Sequence, residues 1–293
     1  MHDHTNEFVI NFHLTEVCNY GCAYCYAKWN EKPSKFEIYR ESGKVEELLR
    51  KLADYFFKAN SIQKVLKYKK VRINFAGGEP TLLGKHFINA LETAKSLGFQ
   101  TSVITNGHYL QGTLLREASP LLDMLGISFD TADQLTAHSI GRNDRKHKWF
   151  SSECLLKITS TYKQLNPSGR LKVNTVINPY NFRENMSGLI SQLKLDKWKV
   201  LRVLPVHDVN QVITDEQYQS FISRHMETCP ELVVEDNSSM WHSYLMINPQ
   251  GKFYQNNGPA QGHLESDPIL RVGVSEALKQ VPFNEIAFAK RYD

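Results

Sequence analysis

The sequence predicts an α/β fold: a partial (β/α)6 TIM-like barrel with a small C-terminal extension. Three observations predict it. Six apolar β-type runs are separated by stretches with helical periodicity, an alternation that gives parallel βαβ units wound one way. Several of those runs alternate apolar residues with Lys, Arg or Asn, so each strand has one polar face. A chain of 293 residues can also bury the large core that a single alternating α/β fold needs.

Residues Phe8–Leu14 read as the first strand. Val45, Leu48, Leu49, Leu52, Ala53 and Phe56 recur at helical spacing and predict an amphipathic helix over Lys44–Lys58. A second strand is expected over Val71–Ala76. Phe87, Ile88, Leu91, Ala94 and Leu97 then mark a helix stopped by Gly98. Strands over Thr101–Thr105, Met124–Phe129, Leu171–Ile177 and Trp198–Leu204 complete the set. Asn181 with Glu184 is a candidate capping box for a helix over Asn181–Leu193, and Thr214 with Gln217 opens another that runs to Thr228. Tyr244–Ile247 and Lys252–Tyr254 read as extra strand material. The barrel core is expected over residues 1–209. An extension over residues 210–293 is expected to pack on the barrel and cover the substrate site. In such a barrel the active residues belong at the C-terminal strand ends and in the loops beyond them.

The stretch Leu14 to Trp29 follows the first strand and places Cys18, Cys22 and Cys25 in a C-x3-C-x2-C spacing. Three thiolates cannot complete a four-ligand iron or zinc site. Either a fourth ligand comes from elsewhere or one metal position stays open for chemistry. A four-iron cluster held by three cysteines keeps one iron free for a small chelating ligand, with Tyr24 and Tyr26 as shields against water. A structural zinc loop closed by His13 is the plainer alternative, but zinc spacings usually pair two close cysteines with a second, distant pair. The five cysteines are an odd number, three of them are crowded, and the start of the chain shows no secretory apolar stretch, which argues against disulfides. A net charge of +4 is too small to argue for nucleic-acid binding. No apolar run approaches the roughly 18 residues of a membrane span, and no amphipathic anchor precedes Phe8. The expectation is a cytoplasmic monomer that binds neither nucleic acid nor membrane.

The cysteine spacing resembles the radical S-adenosylmethionine superfamily. The resemblance implies a [4Fe-4S] cluster on Cys18, Cys22 and Cys25, with S-adenosylmethionine chelated on the open iron through its amino and carboxylate groups. It also implies a reductant such as flavodoxin or ferredoxin. One electron then releases a 5′-deoxyadenosyl radical, which takes a hydrogen atom from the substrate. Gly77-Gly78-Glu79-Pro80 follows the second strand, where the glycines allow close backbone approach and their amides can hold the neighbourhood of the cofactor's amino group. By the same resemblance Tyr24, Asn106, Ser128 and Arg142 belong to the cofactor site, as ribose and carboxylate contacts for the last three. The plain alternatives are tight turns at Gly77-Gly78 and at Thr105-Asn106-Gly107, and a solvated surface charge for Arg142.

Strand parity adds a second signal. Ile10, Phe12 and Leu14 oppose Asn11 and His13; Val71, Ile73 and Phe75 oppose Arg72 and Asn74. Leu171, Val173 and Thr175 oppose Lys172 and Asn174, and Trp198 and Val200 oppose Lys197 and Lys199. Apolar faces must meet the surrounding helices, so Arg72, Lys172, Lys197 and Lys199 point into the barrel. Buried cations without partners are costly. A nucleoside triphosphate, with about four negative charges in a geometry that Arg and Lys bind, is a natural partner. The alternative is that some of these side chains snorkel to solvent at strand ends.

Asn11-Phe12-His13-Leu14-Thr15, Cys18-Asn19-Tyr20, Ile73 to Pro80, Lys172 to Asn178, Trp198-Lys199-Val200 and Phe283-Asn284-Glu285 together resemble the viperin family. That resemblance implies antiviral conversion of a ribonucleoside triphosphate (CTP, UTP or GTP) to its 3′-deoxy-3′,4′-didehydro form, by loss of the 4′ hydrogen and of the 3′ hydroxyl as water. By position, Lys172, Lys197 and Lys199 match triphosphate-binding cations. Arg72 stands where animal members have lysine, and Lys197 where they have arginine. Asn11 matches a residue near the ribose, Asn174 joins the substrate set from the same polar faces, and Tyr244 matches a tyrosine that delivers the last hydrogen. Two departures are expected: the amphipathic N-terminal helix of animal members is absent, as in a prokaryotic-type member, and the chain ends at Asp293, short of an aromatic tail that closes over substrate. Two other classes remain. A peptide-modifying radical enzyme would want an auxiliary cysteine cluster, for which only Cys154 and Cys229 are left. A zinc-stabilised binding module would need no substrate.

Overall fold

A computed structural model describes residues 6–27, 34–206, 212–258 and 261–292. Within them ten strands form one sheet: β1 (Glu7–His13), β2 (Lys70–Ala76), β3 (Gln100–Thr105), β4 (Met124–Ser128), β5 (Arg170–Ile177), β6 (Lys197–Arg202), β7 (Leu232–Glu235), β8 (Leu245–Ile247), β9 (Lys252–Asn256) and β10 (His263–Pro268). Their order is β10-β9-β8-β1-β2-β3-β4-β5-β6-β7. From β8 through β1 to β7 every pairing is parallel, and only β9 and β10 turn antiparallel at one edge. The sheet ends at β10 and β7 without closing on itself, as a partial barrel does.

The alternation read from sequence is the alternation of the fold. Phe8, Ile10, Phe12, Ile73, Phe75, Leu171, Val173, Trp198 and Val200 are buried in one continuous core under the helices. The indole of Trp198 donates to Thr175 Oγ1 at 2.9 Å, so the largest buried ring leaves no polar atom unsatisfied. The six expected strands appear within two residues of their expected ends. The Thr214–Gln217 box forms and opens the helix Asp215–Met226. The Asn181–Glu184 box does not. Asn181 accepts from Asn178 N at 2.8 Å and donates to Asp130 O at 2.7 Å and Val176 O at 2.9 Å, while Glu184 accepts from Ala132 N. The asparagine ties two strand ends together by local bonds, and the helix starts later, as Ser187–Leu193.

β7 and β10 are additions that sequence periodicity did not reveal. β8 pairs directly with β1, and Phe288 of the helix Glu285–Tyr292 packs at a tilt against Phe8 with ring centroids 4.9 Å apart. The expected boundary at 209/210 lies outside the described residues, as do Lys28, Trp29 and Asp293. Among the described residues no helix is long and apolar enough to cross a membrane.

Candidate active site

The cysteine loop leaves the C-terminal end of β1 and is held by backbone on two sides. At its start the Glu37 carboxylate accepts from Thr15 Oγ1 at 3.1 Å and from Glu16 N at 2.6 Å. On one flank Gly78 N donates to Thr15 O at 2.6 Å and Glu79 N to Val17 O at 2.8 Å. A Cβ on Gly77 would lie 2.6 Å from Thr15 O, and one on Gly78 would collide with the Val17 carbonyl. The close approach that requires these glycines is therefore to the cysteine loop itself, and the Gly78 amide is already committed there. On the other flank Gly21 N donates to Gly141 O at 3.1 Å and Ala23 N to Ile140 O at 3.3 Å.

Cys18, Cys22 and Cys25 all line one cavity of about 970 Å³. All three are free thiols. Burial pushes Cys18 up to about 12, with the Glu79 carboxylate adding to the effect, although the residue is reached from the cavity. Burial pushes Cys22 up to about 12 as well, against the pull of Arg142. Thiols held this way stay protonated until a metal takes the proton's place. Among the described residues no three His, Cys, Asp or Glu side chains converge on a point that one ion could occupy; a cluster that gives each thiolate its own iron does not need such convergence. His13, the candidate closing ligand of a zinc loop, directs Nε2 to the Tyr254 hydroxyl at 3.1 Å, and burial lowers it to about 3. A buried Asn19 Nδ2 beside Cys18 and a buried Asn174 Oδ1 in the barrel have no hydrogen-bond partner among the described residues, and polar atoms left this way are ones a bound group can satisfy. The donor set thus fits a cluster with a polar cofactor beside it.

Of the expected cofactor residues, Tyr24, Ser128 and Arg142 come together around a carboxylate that sequence reasoning missed. Asp130 accepts from Tyr24 OH, from Arg142 Nη1 at 2.8 Å and from Val176 N at 2.7 Å. Arg142 also donates to Ser128 O and lies over the Tyr20 ring at 5.6 Å. It is a buried structural cation, not a solvated one. An acid at the C-terminal end of a barrel strand was the available signal. Glu79 is buried, which raises its carboxyl, and it accepts from Thr81 N at 3.0 Å, Thr81 Oγ1 at 2.6 Å, Thr105 Oγ1 at 2.6 Å and Asn106 N at 2.7 Å. It thereby binds the turn after β2 to the turn after β3. Asn106 Nδ2 reaches Asn19 Oδ1 at 2.8 Å.

Deeper in the same cavity are all four expected cations, but their surroundings differ from expectation. Arg72 is paired with Glu7 at 2.8 Å and donates to Ser102 Oγ at 2.7 Å. Lys199 forms an ion pair with Glu235. Both charges are balanced inside the protein, by residues on β1 and β7. Lys172 and Lys197 are different: they are partners in register across β5 and β6, and neither has an ion pair among the described residues. Burial and then the Lys199 charge hold Lys172 well below the ordinary lysine range, and burial lowers Lys197. A polar ladder crosses the first three strands: Ser102 Oγ to Asn74 Oδ1 at 2.6 Å, Asn74 Nδ2 to Asn11 Oδ1 at 2.8 Å, and Asn11 Nδ2 to Leu245 O at 3.5 Å. It fixes which way the Asn11 amide faces.

Tyr244 also lines the cavity, donating to Glu235 Oε2 at 2.8 Å with Lys199 Nζ 3.5 Å from its hydroxyl. Arg291 lies over its ring at 3.4 Å and pairs with the same Glu235. Burial alone would raise the Glu235 carboxyl; Lys199 and Arg291 reverse this and hold it at about 2. Glu235 and Arg291 escaped the sequence reading because their elements did. Cys154 and Cys229 are not among the residues lining the cavity.

Residues 12–165 match the family model described as the radical SAM superfamily. An S-adenosylmethionine-dependent nucleotide dehydratase of Pseudoalteromonas ulvae is 55% identical over 98% of this chain and 93% of its own length. One from Psychrobacter lutiphocae is 33% identical over 100% and 98%. Among solved structures, native anSMEcpe with bound AdoMet and Cp18Cys peptide superposes with a TM-score of 0.67 over 96% of this chain and 83% of that one, at 15% identity, a likeness of fold alone. With three thiols around a cofactor-sized cavity and relatives alike along the whole chain, this protein belongs to the radical SAM superfamily and, within it, to the viperin-type S-adenosylmethionine-dependent nucleotide dehydratases.

Proposed function

We propose that the chain dehydrates a ribonucleoside triphosphate (CTP, UTP or GTP) to its 3′-deoxy-3′,4′-didehydro analogue, a chain terminator made in antiviral defence. One observation carries the substrate class: Lys172 and Lys197 line one cavity with the three cysteines and have no ion pair among the described residues, Glu235 acting on them only from a distance while paired to Lys199 and Arg291. When bound, the [4Fe-4S] cluster and S-adenosylmethionine supply a carbon-centred radical that removes a hydrogen atom. Everything else falls to the chain's own groups. Cys18, Cys22 and Cys25 hold the cluster; Arg142, Asp130 and Tyr24 wall the cofactor side, with Asn106, Ser128 and the Gly77–Glu79 turn beside them. Asn11 and Asn174 present amides to the ribose. β5 rises about 3.3 Å per residue, so Lys172 lies about 7 Å further down the barrel than Asn174, a distance over which a phosphate chain extends from its ribose. Lys172 and Lys197 take the triphosphate, with Arg72 and Lys199 adding field from their ion pairs. Tyr244, its hydroxyl anchored on Glu235, is placed to return a hydrogen. The electron comes from a small carrier protein, and the setting is a reducing cytoplasm with the enzyme as a monomer.

The test is anaerobic incubation of reconstituted enzyme with dithionite, S-adenosylmethionine and each of the four ribonucleoside triphosphates. One of them should stimulate 5′-deoxyadenosine release and lose the mass of one water. Release that responds to no triphosphate but to a peptide would refute the assignment.

A further inference from the structure

Residues 140–149 form a hairpin, bridged between Asn143 and Trp149, that lies directly on the cysteine loop. Its two hydrogen bonds, from Gly21 N to Gly141 O and from Ala23 N to Ile140 O, bracket Cys22 on either side. A Cβ on Gly141 would collide with the Gly21 carbonyl and lie 3.2 Å from Cys22 N, so no side chain separates the hairpin from this cluster ligand. At the tip the backbone is turned inward. Asp144 Oδ1 accepts from Lys146 N and Lys148 N at 2.8 Å each, and His147 N donates to Asp144 O at 2.9 Å. That leaves Arg145, Lys146, His147 and Lys148 exposed in a row. Arg145, Lys146 and Lys148 have no ion pair among the described residues, and the acids nearby are engaged: Asp144 with His108 at 3.5 Å, Asp130 with Arg142, and Asp133 as the cap of the helix Gln134–Ser139.

We propose that this hairpin is the docking site for a small acidic one-electron carrier protein, which hands its electron to the centre held by Cys22. The proposal rests on the functional reading above and adds where the reductant binds. Three fixed like charges on a braced turn repel one another, and an acidic partner relieves that repulsion and is steered to the site. The tip is also near. Four residues from Gly141 to Arg145 span at most about 14 Å, so a partner seated on the hairpin lies within short reach of the loop that carries Cys22. One electron leaves the carrier and one arrives at the cluster; no bond forms or breaks and no proton moves. Nucleic acid is the weaker occupant, because the chain's net charge is only +4 and the basic tip is four residues wide.

The experiment compares reconstituted wild type with the triple variant Arg145→Glu/Lys146→Glu/Lys148→Glu and with the matching triple Gln variant, using an acidic flavodoxin as probe. Flavin fluorescence anisotropy gives Kd for the oxidised flavodoxin, and stopped flow gives the second-order rate of cluster reduction by its hydroquinone. Wild-type affinity should fall steeply as salt rises to about 0.15 M. At low salt the Glu variant should lose at least about tenfold in both Kd and rate, the Gln variant less. Dithionite-driven 5′-deoxyadenosine release should stay as in wild type. Unchanged flavodoxin binding in the Glu variant overturns the docking site, as does lost affinity for single-stranded RNA with flavodoxin binding intact. Wild type that cleaves no S-adenosylmethionine even with dithionite would sink the functional reading itself, a separate result.

Discussion

Lys172 and Lys197 are in register across β5 and β6 and have no ion pair among the described residues, whereas Lys199, two residues beyond Lys197, is paired with Glu235. That contrast makes a titration prediction. Burial, and then the Lys199 charge, lower the Lys172 pKa in the free protein well below the ordinary lysine value, which favours its neutral form. A triphosphate favours the charged form and draws a proton onto the amine. The sign follows: binding takes up protons, and affinity falls as pH rises through the depressed value. Calorimetry at about pH 8, above the phosphate ionisation near 6, in buffers of different ionisation enthalpy should show net uptake. In Lys172→Ala the uptake should shrink and Kd should rise at least about tenfold, the worth of one charge-assisted contact, with iron content unchanged. Equal uptake in the variant would remove Lys172 from the phosphate site. That Lys172 points into the barrel was legible from alternation with Leu171 and Val173. That Lys199 has a partner was not, because Glu235 lies 36 residues further along, on a four-residue strand too short to announce itself.

At the scale of elements, the loops after β1 and β2 behave as one unit. The Gly78 position admits no side chain because the Val17 carbonyl occupies the space a Cβ needs. Gly78→Ala should force the two loops apart, break the bonds from Gly78 N to Thr15 O and from Glu79 N to Val17 O, and cost roughly 2–4 kcal/mol locally. The expected readout is faster hydrogen exchange over Thr15–Cys25 and less iron retained per chain after gel filtration, with the circular-dichroism spectrum of the barrel intact. Full iron retention with unchanged exchange would show that the glycine is dispensable. The motif was legible as a close approach, but its target was not, since one sequence does not say which backbone the glycines meet. The Asn181 box failed for a related reason. An asparagine able to cap a helix can equally bind the strand ends beside it, and here Asp130 O and Val176 O won.

At the scale of the whole molecule, the open side of the sheet is bridged by side chains. Glu235 on β7, Tyr244 just before β8 and Arg291 near the C-terminus meet in one buried knot with Lys199. The helix Glu285–Tyr292 brings Arg291 there, and Phe288 fixes that helix: it is fully buried, packed at a tilt against Phe8 with centroids 4.9 Å apart and edge-on against Phe283 at 5.6 Å. Phe8 belongs to the outward face of β1, while Asn11, three residues on, belongs to the lumen. Phe288→Ala should therefore act at two places. The lost packing costs about 3–5 kcal/mol and should lower Tm by at least about 5 °C. Because the helix also carries Arg291, the knot at Glu235 should loosen, and KM for the triphosphate should rise several-fold more than KM for S-adenosylmethionine, whose proposed residues gather around Asp130, beyond the end of β4, with Tyr24 and Arg142. A conservative Phe288→Leu variant, which refills most of the space, should recover the Tm and the triphosphate KM together. If Phe288→Ala lowered Tm but raised both KM values equally, the helix would be a general prop for the fold, and the bridge across the open edge would have no separate part in holding the nucleotide.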